Sequence, residues 1–76
     1  METYSSREVI KILRRAGWIP LRQKGSHLHF VHPEKPGKVT VPHPKSDIVE
    51  TTLRSILSQA GLTESEIDYG GGLEIG

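Results

Sequence analysis

Twice in this chain a helical apolar stripe runs into the same ending, Ala16-Gly17-Trp18 and Ala60-Gly61-Leu62. Glycine takes the left-handed conformation that closes a helix, and the large apolar residue after it folds back on the last turn. The two stops define two helices, and whatever lies between must pack against them. The first, residues 6–16, starts from the capping box of Ser5 and Glu8 and carries Val9, Ile10, Leu13 and Ala16 at helical spacing. The second, residues 50–60, carries Leu53, Ile56, Leu57 and Ala60.

The stretch between them reads as three short strands. Trp18 to Arg22 is the first, and His27 to His32 the second. Val39-Thr40-Val41 is the third, ended by Pro42-His43-Pro44. Lys24-Gly25-Ser26 makes one turn. Lys35-Pro36-Gly37-Lys38 makes the other, with Pro and Gly where a type II turn wants them. Neither connection has room for the crossover a parallel pair needs, so an antiparallel meander is predicted. The order is α-β-β-β-α. Each helix has one apolar face, and the simplest arrangement lays both on one face of the sheet and leaves the other open. This is an α+β architecture of the double-stranded-RNA-binding-domain type.

A chain of 76 residues is one domain, expected over residues 1–69. Thr63 and Glu66 have the spacing to cap one further turn. Gly70-Gly71-Gly72 then opens a flexible glycine-rich tail, residues 70–76. The absence of cysteine excludes a disulfide staple and thiolate ligands, and fits a reducing compartment. No apolar run approaches the ~18 residues that span a bilayer, and the N-terminus lacks the apolar core of a signal peptide. The expected location is the cytoplasm, with no membrane partner. The sequence is compatible with a monomer and leaves the oligomeric state open.

Charge is unevenly placed. Residues 1–60 hold all 10 Lys and Arg and carry a net +5, whereas residues 61–76 carry −4. A basic body suits a polyanion such as nucleic acid. Arg7, Lys11, Arg14 and Arg15 form a stripe on the first helix opposite its apolar side. It is either a solvated face or a track of phosphate contacts. The aromatic residues are few, and Trp18 and Phe30 belong to the core. The sheet therefore lacks the stacking platform that reads unpaired bases.

The densest chemistry is in Gln23-Lys24-Gly25-Ser26-His27-Leu28-His29-Phe30. Side chains alternate across a strand, so Leu28 and Phe30 share the core face while His27 and His29 share the open one. His32 has the core parity but precedes Pro33, which makes it a strand-end residue. Exposed strand histidines are often idle, but these follow Arg22, Lys24 and Gly25. Glycine lets a ligand approach the backbone, and successive turn amides at Gly25 and Ser26 can face an anion. An imidazole beside a cationic turn is suited to proton transfer at a phosphodiester.

Two rivals are weaker. His27, His29 and His32, with His43 farther on, supply enough imidazoles for zinc, but the third has the wrong parity and Glu34 is the only carboxylate near. Ser26 as a nucleophile faces away from its neighbour His27, and no acid is placed to orient that ring. No metal or cofactor is expected.

The segments SREVIKILRRAGW, RQKGSHLHFVHP, KVTVPHP and TLRSILSQAGL, in this order from Ser5 to Leu62, resemble the HicA (YcfA-like) family of toxin–antitoxin ribonucleases. The resemblance implies a double-stranded-RNA-binding-domain-like fold and metal-independent cleavage of messenger RNA. It also implies a cognate HicB-type antitoxin protein that blocks the activity. The family's catalytic histidine lies in G-S-H, which is His27 here. Many members read G-S-H-H, and this chain has Leu28 in the fourth place. On this reading Arg22, Lys24, Gly25, Ser26 and His29 hold RNA near His27, and Lys11, Arg14 and Arg15 add affinity at longer range. The alternative is a non-catalytic RNA-binding module of the same fold. Such modules place a lysine cluster at the start of the last helix, where this chain has Thr51-Thr52-Leu53-Arg54. An antitoxin is expected to cover the open face around His27, unless the acidic tail of the same chain does so.

Overall fold

The computed structural model describes residues 3–62. In chain order these form β1 (Thr3–Tyr4), α1 (Ser6–Arg15), β2 (Ile19–Lys24), β3 (His27–Val31), β4 (Val39–Pro42), β5 (Ile48–Val49) and α2 (Glu50–Ala60). β2, β3 and β4 make an antiparallel meander in that spatial order. Both helices contact β4, and their apolar sides share one core with Phe30, Val39 and Val41. The structure is thus the α+β arrangement expected, with the helices on one face of the sheet. The extra helical turn at Thr63 and Glu66 and the tail at residues 70–76 lie outside the described residues.

The helix ends behave as their sequences demand. Ser5 Oγ accepts from the Glu8 amide at 3.2 Å while Glu8 Oε1 accepts from the Ser5 amide at 2.9 Å. At the other end of α1, Gly17 has φ +95°, and the amides of Gly17 and Trp18 donate to the carbonyls of Arg14 and Leu13. α2 closes the same way, with Gly61 at φ +75° and the Leu62 amide on the Leu57 carbonyl at 2.8 Å. α2 has no cation in its last turn, and Lys35 supplies one from outside by donating to the Ala60 carbonyl at 3.1 Å. The buried side of α1 is Ser6, Val9, Ile12 and Leu13. Ile12 therefore joins the stripe read from the sequence, while Ile10 and Ala16 are only partly buried against it.

Three features differ from the sequence reading. β2 runs from Ile19 to Lys24, not from Trp18 to Arg22, so Lys24 is a strand residue and the turn shrinks to Gly25-Ser26. Gly25 has φ +61° and Ser26 a negative φ, the signs of the two-residue turn that suits the twist of a hairpin. Second, pairing shifts between Pro20 and Arg22, leaving Leu21 without a partner in a bulge. A bulge swaps the faces of everything beyond it. Third, β1 pairs with β5 (Thr3 with Val49, Tyr4 with Ile48) and clips the chain before α1 to the start of α2. Two-residue strands carry no alternation, so the sequence could not announce them.

Candidate functional site

The Gly25-Ser26 turn sets Lys24 against His27 and Arg22 against His29, and the bulge at Leu21 takes up the change of register to Pro20 and Ile19 beyond them. On the other side, β4 sets Thr40 against His29 and Pro42 against His27. Directly paired residues of an antiparallel sheet put their side chains on the same face, roughly 5 Å apart. The open face therefore carries two rows, Arg22–His29–Thr40 and Lys24–His27–Pro42. The opposite parity carries Leu28 and Phe30 against Val41 and Val39 into the core.

His27 is exposed, at the tip of the hairpin and next to the Gly25-Ser26 turn. His29 is half-buried and its Nδ1 lies 3.0 Å from Thr40 Oγ1, which fixes its ring in the next row. A Cβ built on Gly25 meets nothing within 4 Å, so the turn is open to a ligand. The site thus combines one unrestrained imidazole, two cations on the same face and a turn whose backbone is accessible.

The other two histidines belong to the helix layer. His32 Nε2 lies 3.0 Å from the Ala16 carbonyl, and its Nδ1 accepts from the Glu34 amide at 2.9 Å. Those contacts require a neutral ring with its proton on Nε2. The ring also packs edge-on against Trp18 at 5.1 Å between centroids. His43 Nδ1 lies 2.7 Å from Ser6 Oγ, and that hydroxyl accepts from the Lys45 amide at 3.0 Å. Ser6 is only 2% exposed, so this hydroxyl takes an apolar position of α1 because both contacts satisfy it. Among the described residues no three His, Asp or Glu side chains gather in a way that could hold a metal ion.

Of the residues picked out by sequence, Arg22, Lys24, Gly25, Ser26, His27 and His29 come together around one hairpin. Lys11, Arg14 and Arg15 do not join them. They are exposed on α1, which lies on the helix side of the sheet, away from the face of His27. Sequence reasoning gave no role to Gln23, Ser6 or His43. Gln23 Nε2 donates to the Gly25 carbonyl at 3.2 Å and to the His43 carbonyl at 2.8 Å, and the His43 amide donates to the Ser26 carbonyl at 2.9 Å. The only sequence signal for this brace was the run Val41-Pro42-His43-Pro44, which looks like a strand end and nothing more.

Fold and site together describe an α+β domain that shows an accessible histidine in a basic hairpin on its uncovered sheet face. The family model described as HicA toxin of bacterial toxin-antitoxin matches residues 6–62, three quarters of the chain. The chain belongs to this family, and is therefore a toxin of a toxin–antitoxin system whose membership implies a cognate antitoxin. No curated protein matches the chain. No helix among the described residues is long and apolar enough to cross a membrane.

Proposed function

We propose that the chain is an endoribonuclease toxin that cleaves messenger RNA without a metal, using His27 as general base or acid. The observation that carries this reading is the row Lys24–His27 beside the Gly25-Ser26 turn. It offers a proton-transfer group, a cation and accessible backbone amides within the reach of one phosphodiester. The step suited to these groups is attack of the adjacent ribose 2′-hydroxyl on phosphorus. The 2′-oxygen loses its proton to a base and bonds to phosphorus. The bond to the 5′-oxygen breaks, and that oxygen takes a proton as it leaves. The products are a cyclic 2′,3′-phosphate and a free 5′-hydroxyl. His27 supplies one of the two proton transfers. His29 and Lys24 are the groups on the same face for the other. Lys24 and the turn amides offset the charge that builds on the phosphoryl oxygens. Arg22 holds the strand.

A HicB-type antitoxin fits this reading by covering the open face around His27, with acidic or polar groups toward Arg22 and Lys24. The test is cleavage of a defined RNA by the wild-type chain and by His27→Ala, with excess chelator present. Loss of one acid–base group is expected to slow cleavage by about 10²–10⁴-fold. A folded His27→Ala protein that cuts at the wild-type rate ends the assignment, and wild-type cleavage that stops with chelator points to metal chemistry. Binding without cleavage by the wild type points to an RNA-binding module. A substrate with one 2′-deoxy sugar at the cut site is expected to survive.

A further inference from the structure

The hairpin turn is tied down through both of its carbonyls. Gln23 stands between Arg22 and Lys24 but has the opposite parity, pairing with Leu28 on the helix side of the sheet. From there its carboxamide donates to the carbonyl of Gly25 at 3.2 Å and to that of His43 at 2.8 Å. The His43 amide donates to the Ser26 carbonyl at 2.9 Å. His43 is itself anchored, its Nδ1 2.7 Å from the buried Ser6 hydroxyl of α1. The Gly25 carbonyl is thus drawn to the helix side by Gln23, while the Ser26 carbonyl continues the β3–β4 ladder and is fastened through His43 to α1.

A trans peptide sets its C=O and N–H on opposite sides of its plane. Holding the Gly25 carbonyl toward Gln23 turns the Ser26 N–H the other way, to the side where Lys24 and His27 stand. We infer that Gln23 is a positioning residue for RNA cleavage. Its carboxamide fixes the Gly25–Ser26 peptide so that the Ser26 N–H faces the phosphate held beside His27, with His43 as the second anchor. This rests on the reading of His27 and the turn as the cleavage site, and adds the device that aims the backbone donor.

The experiment measures kcat and KM of the full chain on a short RNA for wild type, Gln23→Ala, Gln23→Glu and His27→Ala. Gln23→Glu keeps the shape but replaces the donor with an acceptor facing two carbonyls. Misaiming a positioned group by about 1 Å costs on the order of 10²-fold, so Gln23→Ala is expected to lose about 10–100-fold in kcat. Gln23→Glu should lose at least as much, with KM within about twofold of wild type for both. Both should unfold at the wild-type temperature, because Gln23 is exposed. The Ser26 amide cross-peak in an ¹⁵N–¹H spectrum should move on adding an uncleavable 2′-deoxy oligonucleotide to the wild type and stay still in Gln23→Glu. Wild-type kcat in Gln23→Glu, with His27→Ala inactive, overturns the positioning role alone. Full activity in His27→Ala removes the cleavage site and this inference with it.

Discussion

α1 is gripped by a histidine at each end, and neither of them resembles the pair on the open face. At its N-terminal end His43 reaches Ser6, and at its C-terminal end His32 reaches the Ala16 carbonyl. Both sit where strands hand over to loops, with a ring nitrogen bonded to the helix. His27, on the sheet's free face beside the hairpin turn, has no such anchor and stands opposite Lys24. The four rings share one chemistry, so their surroundings decide the use. A ring bonded to the helix is a clamp, whereas an exposed ring beside a cation is free to move protons.

Substitution at the two kinds of position should separate them cleanly. The largest effect expected is at His27, where alanine removes about 10²–10⁴ of the cleavage rate. The unfolding midpoint should not move, since the exposed ring makes no contact that holds the core. His32→Ala should do the reverse. It strips a donor from the Ala16 carbonyl and an acceptor from the Glu34 amide, and is expected to cost about 1–3 kcal/mol of stability. The rate per folded molecule should stay at the wild-type value. Urea unfolding read beside single-turnover cleavage checks both. Equal stability losses in the two variants would erase the distinction.

The glycines that serve the two regions give a finer version of the same contrast. Gly17 and Gly25 both have positive φ, at +95° and +61°. A Cβ on Gly17 would meet His32 Nε2 at 2.8 Å, whereas one on Gly25 meets nothing within 4 Å. Both alanine variants carry the backbone penalty of roughly 1–2 kcal/mol for a left-handed residue. Gly17→Ala adds a clash with the clamp and is expected to be the less stable by about 1 kcal/mol or more. Gly25→Ala should instead weaken cleavage beyond its effect on stability, because the added methyl stands where the phosphate approaches. Matched thermal melts and rates for the pair decide this.

What the sequence could announce was local. The capping box, the two glycine stops and the strand parity all follow from residues within four positions of one another, and each is found as read. Parity placed His27 and Phe30 on opposite faces with no knowledge of their partners. What it missed depended on distant segments. The bulge at Leu21 exists only in relation to β3, where it lets Ile19 and Pro20 stay paired beyond the register that the two-residue turn sets for Arg22 and Lys24 against the histidines. The Ser6–His43 contact joins residues 37 apart, and the Gln23–His43 contact joins residues 20 apart. A buried serine at an apolar helix position was a signal that a distant polar partner was needed, but the serine-rich start of the helix hid it among capping residues. The stripe of Lys11, Arg14 and Arg15 shows the converse. Its spacing was right, yet whether a stripe belongs to a site depends on which layer it faces.

That last point carries the smallest of the expected effects and the one most able to redraw the site. Single-stranded nucleic acid loses affinity with salt in proportion to the phosphates neutralised, with a logarithmic slope of roughly 0.7 per contact. If the RNA runs along the open face, removing Arg22 and Lys24 together should make the salt dependence of KM shallower by about 1.4. Removing Lys11 and Arg14 together should change it by much less, because those cations sit on the helix side and act only across a distance that salt screens within about 10 Å. kcat should be untouched in the helix pair. Equal changes from both pairs would mean that the strand wraps around the edge of the sheet onto α1. The RNA-binding surface would then extend over both layers of the molecule.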